Sequence, residues 1–371
     1  MNLMLPTQEP NLFDSTPYPT HLLRRKPWYD FTRHNGYQTL AKQLRLQVVS
    51  NIDTAGYLWE LFSSNQSIFD LWEVRRSFYE SFHIDPYFIV LYEQKYHKQN
   101  ILGVLPLWLD GDYWKDEYSW YGGFWPEDNT FFVKDLEIIP LLLMAAPAPL
   151  ELQCIKPLTD YEFLRSFPGF GNNDLKFFMD LSAYKNAEDY LMSIKKKKRH
   201  NIRRDCHRIS QLQPVIEFGR FDQLDRLFSL NIERFKDMPP DDKSIFENKD
   251  EQRLFRYLIN NVRMLEPYIM TTSIRGIVEA VEVGFIYDNI CYAFSSGANI
   301  SKYSGIGVFS NYKLIEEMMR RELRKIDFLQ GDYNWKLSWQ LESYMSFEFI
   351  KKQMSVQPVS KNSGTKTTAT Q

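Results

Sequence analysis

The sequence predicts an α/β (α+β) fold in which two similar blocks follow one another along the chain. In the first block, three strand-like runs precede a helical run and a further strand, at 87–94, 101–109, 117–125, 133–144 and 150–155. The second block repeats this order at 268–274, 277–287, 290–298, 308–325 and 326–331. A repeated order of elements is typical of a duplicated domain.

The strand runs are rich in β-branched and aromatic residues and are bounded by polar or glycine-containing turns. In the second block, Arg275-Gly276 and Asp288-Asn289 are the two turn signals, so its first three strands should form consecutive hairpins. Between the blocks, 222–235 and 250–265 have the apolar periodicity of helices.

Composition divides the chain into four segments. Residues 1–45 carry five prolines by Pro27, which indicates an irregular arm on the surface. We place the first domain at 46–181 and the second, with a basic helix at its start, at 182–354. The Ser/Thr/Lys-rich stretch 355–371 is expected to be a disordered tail.

The bulk properties favour a globular protein without a general affinity for polyanions. Of 371 residues, 44% are apolar and 25% charged, and the formal net charge is −2. Three scattered cysteines fit a reducing compartment, so a cytoplasmic location is expected. The N-terminus lacks signal-peptide features, and the apolar window at 138–150 is too short to cross a membrane. The histidines show no metal-ligand spacing, and neither a metal nor DNA is expected as a partner.

The stretch 193–210, SIKKKKRHNIRRDCHRIS, concentrates lysine and arginine. Asn186 is a predicted N-cap, and apolar residues recur from there on one helical face, with the Lys198 stem filling a gap in that face. The stretch is therefore predicted to be part of one amphipathic helix. Its cations either form a solvated face, line an anionic ligand site or bind nucleic acid.

The clearest chemical pattern is KYSGIGVFSNYKLIEEMM, which follows a strand and opens a helix. Glycines at a helix start let the backbone N–H groups approach a pyrophosphate, and the helix dipole favours its charge. A tight structural turn would explain the same glycines. The predicted ligand-binding residues are Lys302, Gly305, Ile306, Gly307 and Val308.

This arrangement resembles the pyrophosphate loop of the GNAT acyltransferase superfamily, and more narrowly its polysaccharide (cellulose)-biosynthesis-associated and FemAB-like duplicated members. The similarity covers about 65–350 and rests on ILGVLPLWL, on SIKKKKRHNIRR and on DFLQGDYNWKLSW. It implies two GNAT-like domains, each a mixed, mostly antiparallel sheet flanked by helices. It also implies acetyl-CoA or another acyl-CoA as the acyl donor.

Three departures from the family pattern matter. Lys302 replaces the usual Gln or Arg, which keeps the positive charge of arginine but loses its planar, bidentate hydrogen-bonding group. Tyr333 stands where the family usually has Glu. The first block carries GGFWPEDNTFF in place of the loop, with two acids that would repel a pyrophosphate, so only the second block should bind the donor.

Acyl transfer to an amine needs a proton acceptor, oxyanion donors and a proton for the leaving thiolate. Glu282, in an apolar strand, is the predicted base unless it is an edge-strand residue facing water; Glu279 is the fallback. Asp332 is a further catalytic candidate, either in an acceptor pocket or in a structural pair with Lys336. Tyr303, or Tyr292, is the candidate that protonates the thiolate.

The remaining candidates concern the acceptor: Arg199, Arg203, Lys336 and Trp339 are predicted to bind it. The leading hypothesis is an N-acyltransferase that uses acyl-CoA and an amine or hydroxyl acceptor, a small molecule or a saccharide. Two alternatives stay open. One is a FemAB-like enzyme that uses aminoacyl-tRNA, and the other is a non-catalytic GNAT scaffold, favoured by Tyr333.

Overall fold

The computed structural model describes residues 15–34, 36–95, 98–110, 116–331 and 334–353. The strands are β1 (Thr16–Pro17), β2 (Leu44–Val49), β3 (Tyr87–Lys95), β4 (Lys98–Leu109), β5 (Tyr118–Trp120), β6 (Phe132–Val133), β7 (Leu150–Ile155), β8 (Phe170–Asp180), β9 (Val215–Phe218), β10 (Glu266–Ile274), β11 (Ile277–Tyr287), β12 (Ile290–Ala298), β13 (Lys325–Asp327) and β14 (Glu342–Lys351). The α-helices are α1 (Tyr29–His34), α2 (Tyr37–Ala41), α3 (Ile52–Phe62), α4 (Trp72–Phe82), α5 (Ile138–Ala145), α6 (Ala187–Ser193), α7 (Lys196–Ser210), α8 (Leu224–Phe235), α9 (Lys249–Asn261), α10 (Ile306–Arg320) and α11 (Asn334–Ser338).

All strands join one continuous sheet in the order β1-β2-β3-β4-β5-β7-β14-β8-β13-β12-β11-β10-β9, with β6 paired to β4. The pairing repeats in two halves, which we name the first half (β2 to β8) and the second half (β9 to β14). Each half contains one parallel pair, β5 with β7 and β12 with β13. The predicted mixed, mostly antiparallel sheet flanked by helices is thus confirmed, and the two halves share it.

The halves are joined by an exchange of their last strands. Strand β8, from the first half, pairs with β13 of the second half, and β14, from the second half, pairs with β7 of the first. The two exchanged strands also pair with each other. Neither half therefore completes its sheet with its own residues alone.

Helices cover both faces of the second half. Helices α8 and α9 pack on one face, against Ile269, Val281 and Val283, and we name this the α8/α9 face. Helices α6, α7 and α10 cover the opposite α10 face, whose core includes Met270 and Cys291. On the α8/α9 face, α4 of the first half packs against α9, so the two halves also meet there.

Two predicted segments differ from the structure. The described part of the arm is not an irregular surface segment, because it forms β1, α1 and α2 and buries Tyr18, Leu23 and Trp28 against the first half. The basic stretch is not one helix with its N-cap segment: Asn186 caps α6 as predicted, but the chain is extended at Ile194 and restarts as α7. The tail 355–371 lies outside the described residues.

The second-block strands lie close to the predicted positions, and 290–298 matches β12 at both ends. In the first block, the predicted third strand is only three residues long, because the chain leaves the sheet after Trp120. Of the helices that the structure describes, none is both long and apolar enough to cross a membrane.

Candidate functional site

The second half has an opening between its two parallel strands. Strands β12 and β13 pair from Ile290–Lys325 to Tyr292–Asp327. Beyond this point β12 continues to Ala298 paired with β11 only, while the chain after β13 bonds to Phe177 of β8. Within the described residues, the β12 edge at 293–298 thus has no strand on its second side. We name this gap the β12–β13 opening.

Strand β12 also carries a bulge in its pairing with β11. Between Val283 and Gly284 of β11, the partners on β12 jump from Ser295 to Ala293, so Phe294 is the extra residue. A bulge leaves a residue out of the ladder and redirects its backbone groups. Backbone N–H groups at such a position can stabilise a developing oxyanion. The partly exposed stretch 293–296 makes them accessible from the opening.

Helix α10 begins where the chain returns from β12. Gly305 is its N-cap, with a positive φ of 91° that favours glycine. The neighbouring side chains also disfavour a larger residue, because a Cβ would lie 2.7 Å from Nη2 of Arg208. Gly307 differs, since nothing lies within 4 Å of the position of its Cβ. The first-turn N–H groups of Gly307 and Val308 have no acceptor within the helix. This open helix start fits a bound phosphate group.

The basic helix α7 lies against this helix start. Nη2 of Arg208 donates to Oγ of Ser304 at 3.2 Å and to Oδ1 of Asp205 at 3.0 Å. The contact places an exposed guanidinium beside the glycine loop. This position agrees with the alternative in which cations of the basic stretch line an anionic ligand site. Sequence periodicity identified the helix but not Arg208, because only the packing of α7 on α10 selects it.

Lys302 is placed differently from the prediction that it binds phosphate. Its Nζ lies 2.7 Å from Oε1 of Glu279, and Nδ2 of Asn299 donates to the other carboxylate oxygen at 2.8 Å. Glu279 is the extra residue of a second bulge on β11 and is buried. Glu279 thus ties the loop to the sheet, and the fallback base is occupied. Tyr303 is half-buried, and its ring lies 5.0 Å from Nζ of Lys302.

Glu282 is not an edge-strand residue facing water, because β11 lies between β10 and β12. Its register partners are Met270 and Ser296, and it is only 5% exposed beneath α10. Burial raises the pKa of its carboxyl to about 8. Small residues surround it on this face, at Gly284 and Ala293 as well as at Ser296.

The four predicted acceptor-binding residues lie in structural contacts. Arg199 donates to the carbonyl of Met192 at 2.9 Å, at the end of α6, and Arg203 bonds to Glu188. Lys336 is buried and donates to the carbonyls of Leu329 and Gln330, at 3.1 and 2.6 Å.

Burial lowers the pKa of Lys336 to about 8. Trp339 is 3% exposed and belongs to the core on the α10 face. Asp332 and Tyr333 lie outside the described residues.

The corresponding gap in the first half is filled by the chain itself. After β5 the chain leaves its pairing with β4 and resumes it only at β6; we name the intervening residues the 121–131 segment. Asn129 of this segment bridges to β7: its N–H donates to the carbonyl of Cys154, and its carbonyl accepts from Lys156, both at 2.9 Å. The segment contains nearly all of the GGFWPEDNTFF stretch, which lacks the G-x-G spacing.

Arg75 holds the 121–131 segment in place and was not predicted. It is 3% exposed on α4, and it donates to the carbonyl of Tyr121 at 2.5 Å and to Oδ1 of Asn129 at 2.7 Å. Its third bond, to the carbonyl of Phe69, is 2.7 Å long. A buried guanidinium with three acceptors fixes the path of the segment.

The same segment carries two acids to the start of the β12–β13 opening. The buried Lys176 of β8 has its Nζ 2.5 Å from Asp128, 3.1 Å from Asp327 and 3.2 Å from Glu127. Asp327 is the β13 residue at which the parallel pair ends. Burial raises the pKa of Glu127 to about 7, whereas contact with Lys176 lowers that of Asp128. We name these four residues the Lys176 cluster.

Comparison with known families identifies part of the chain. Residues 196–337 match the acetyltransferase (GNAT) domain family. This range begins with α7 and contains β12, α10 and β13, so the matched range includes the whole β12–β13 opening. The described residues contain no group of His, Cys, Asp and Glu side chains suited to a metal ion.

Solved structures extend the similarity over both halves. The crystal structure of FemX superposes with a TM-score of 0.50 at 10% identity, over 82% of this chain and 97% of FemX. A conserved protein of unknown function from Bacteroides thetaiotaomicron VPI-5482 gives 0.49 at 14% identity, over 82% and 100% of the two chains. A tandem GNAT protein from the clavulanic acid biosynthesis pathway gives 0.46 at 10% identity, over 82% and 97%. Curated protein sequences gave no significant match. At 10% identity the likeness to FemX shows a shared fold.

Proposed function

We propose that the protein is an N-acyltransferase that moves an acyl group from acyl-CoA to an amine acceptor in the β12–β13 opening. The observation that carries this proposal is the free edge of β12 ending next to the open start of α10, within the part that matches the GNAT family. The first half has its equivalent gap filled by the 121–131 segment, so the proposal assigns one donor site to the chain.

The helix start suits the pyrophosphate of the donor. The N–H groups of Gly307 and Val308 point along the helix axis, and the dipole adds positive potential. Arg208 supplies a positive charge at the rim, on a side chain that is 47% exposed and paired with Asp205. We assign pyrophosphate binding to the loop backbone and Arg208, with Lys302 stabilising the loop through Glu279.

The chemistry requires the amine nitrogen to attack the thioester carbonyl, so that a C–N bond forms and the C–S bond breaks. Glu282 is the proposed proton acceptor for the amine, and the backbone at the Phe294 bulge is the proposed oxyanion donor. The proton for the leaving thiolate is assigned to Tyr292, because Tyr303 lies beside Lys302 at the phosphate end of the opening. With a pKa of about 8, Glu282 is mostly protonated at pH 7, so turnover should rise with pH through about 8.

The acceptor class rests on resemblance rather than on geometry. Similarity to polysaccharide-associated GNAT proteins directs an acceptor screen to amino sugars and envelope polysaccharide precursors, and a cytoplasmic location belongs to the same proposal. A second candidate donor is aminoacyl-tRNA. It is favoured by the exposed cations Lys195, Lys196 and Lys197 at the start of α7. A tRNA donor would bind with a steep dependence on salt concentration.

Gly307 offers a direct test because a side chain there meets open space. Gly307→Glu places a carboxylate at the proposed phosphate site, while a negative charge in the first helical turn suits the dipole and should not destabilise the fold. Gly307→Ala is the matched control. Acetyl-CoA at a hundred times its dissociation constant should raise the wild-type Tm by about 3 °C.

The Tm increase should persist in Gly307→Ala and disappear in Gly307→Glu. If no acyl-CoA raises the wild-type Tm, or if Gly307→Glu binds as tightly as the wild type, the proposed donor site is wrong. Binding of tRNA in place of acyl-CoA, weakening as salt rises, would favour the second candidate.

A further inference from the structure

Aromatic side chains from the first half line the β12–β13 opening on its α8/α9 face. The ring of Trp125, in the 121–131 segment, stacks on that of Phe294 with centroids 5.8 Å apart and planes 15° apart. Phe69 lies 5.9 Å from the same Phe294 ring and meets Tyr292 edge-on at 6.1 Å. Phe294 and Tyr292 belong to the β12 stretch where the opening begins.

Trp125 is held in this position from two sides. Its indole Nε1–H donates to Oε2 of Glu251 on α9 at 2.7 Å, and its ring meets Phe255 edge-on at 5.4 Å. Glu251 is fully buried, and its other carboxyl oxygen has no hydrogen-bond partner. Swinging Trp125 away would leave this buried carboxyl without its donor, which is costly. Phe124 stacks on the outer side of Trp125 at 5.4 Å.

The length of the free edge indicates where a bound donor ends. The six-residue step from Ala298 back to Tyr292 spans about 20 Å at the rise of a β-strand. An extended pantetheine arm that starts at α10 and follows this edge therefore delivers its acyl group near Phe294 and Tyr292. Trp125 and Phe69 pack directly behind these two residues.

We propose that Trp125, contributed by the first half, is the end wall of the acyl site in the second half and restricts the donor to short acyl groups. This inference rests on the proposed acyl-CoA donor and adds its substrate class. It also assigns a role to the half whose own gap is filled: its 121–131 segment sets the depth of the neighbouring opening.

Equilibrium binding tests the wall without knowledge of the acceptor. The dissociation constants of CoA, acetyl-CoA and octanoyl-CoA are measured by titration calorimetry for the wild type, Trp125→Leu and Trp125→Phe. Trp120→Leu is the matched control. Trp120 is a tryptophan whose indole N–H also donates a hydrogen bond, to the carbonyl of Gln153, but it is buried in the first-half core.

In the wild type, octanoyl-CoA should bind no more tightly than acetyl-CoA. In Trp125→Leu the ratio of the octanoyl-CoA to acetyl-CoA affinities should rise by about 16-fold, since the smaller side chain should let roughly two more methylenes be buried and each is worth roughly a factor of four. Trp125→Phe should give a smaller shift, and CoA itself should bind all variants equally.

The outcomes distinguish the role of Trp125 from the proposed acyl-CoA donor site. The role of Trp125 as a wall would be refuted if the ratio of octanoyl-CoA to acetyl-CoA affinities were unchanged in both folded Trp125 variants. An equal change of this ratio in Trp120→Leu would refute it as well, and neither result would affect the proposed donor site. Absence of CoA binding by the wild type would overturn the donor site, and the wall with it.

Discussion

Replacing Lys176 with Met leaves three carboxylates facing one another at the centre of the sheet. Nζ of Lys176 lies 2.5, 3.1 and 3.2 Å from Asp128, Asp327 and Glu127, and the lysine side chain is 1% exposed. Removing one member of a buried ionic group costs about 3–5 kcal/mol, because the remaining charges stay desolvated and unpaired. At roughly 2.1 cal/mol/K per residue, this corresponds to a Tm about 4–6 °C lower.

The pH dependence of this loss identifies its electrostatic origin. Without the ammonium group, repulsion raises the pKa values of the three carboxyls in the folded state. A carboxyl with a raised pKa costs stability as pH rises, so the difference in Tm from the wild type should be larger at pH 8 than at pH 5.

Lys351→Met is the matched control for Lys176. This lysine is also largely withdrawn from water, but its ammonium group contacts backbone carbonyls, including that of Met144 at 2.8 Å, and the ring of Trp28 at 4.9 Å. Its loss should change by only about 0.4 kcal/mol between pH 5 and pH 8, because the lysine stays charged in the unfolded chain and its folded pKa of about 8 is reached only at the upper end of this range. Thermal scans at both pH values give the comparison. A Lys176→Met variant within 1 °C of the wild type, or equally destabilised at both pH values, would refute the reasoning.

Three further expectations concern single residues and are measured by thermal scans. Gly305→Ala should lower the Tm by about 2 °C, since φ is 91° and the new Cβ meets Arg208 and Asp205; an unchanged Tm would contradict the strain. The wild-type Glu282 carboxyl has its pKa raised from 4.5 to about 8 on folding, so it should lower the Tm as pH rises from about 5 to 8, and Glu282→Gln should reduce this decline. Parallel plots of Tm against pH for the two proteins would contradict the pKa shift. Arg75→Met should cost at least about 3 kcal/mol by leaving buried carbonyl oxygens unpaired, and a loss below about 1 kcal/mol would contradict its anchoring role.

Local signals predicted the parts of the fold that form from neighbouring residues. Strands β10, β11 and β12 are consecutive hairpins, and their turns are marked by Arg275-Gly276 and Asp288-Asn289, all with positive φ. The exchange of β8 and β14 has no such signal, because Glu342 pairs with Phe178 across more than 160 residues of chain. The division of the basic stretch into α6 and α7 was equally hidden, since its apolar spacing continues through the break.

The site residues divide in the same way. The glycine spacing located the start of α10, because a helix start is a local feature. Arg75 could not be distinguished by sequence from its neighbour Arg76: one is buried among three acceptors, and the other pairs with Glu80 on the surface. Lys302 carries the expected charge, but its partner Glu279 is brought to it by a bulge. Tertiary packing decides which charged groups are in contact, and a single sequence does not reveal these contacts.

The filled gap of the first half explains why the two halves depend on each other. The 121–131 segment leaves the sheet after Trp120, and this departure lets Trp125 reach Phe294 and lets Glu127 and Asp128 reach Lys176. Lys176 lies on β8, which the exchange places beside β13. A first half with an open gap would retain its own strand edge but lose all of these contacts to the second. The filling of the first-half gap and the support of the β12–β13 opening are therefore consequences of the same detour in the chain.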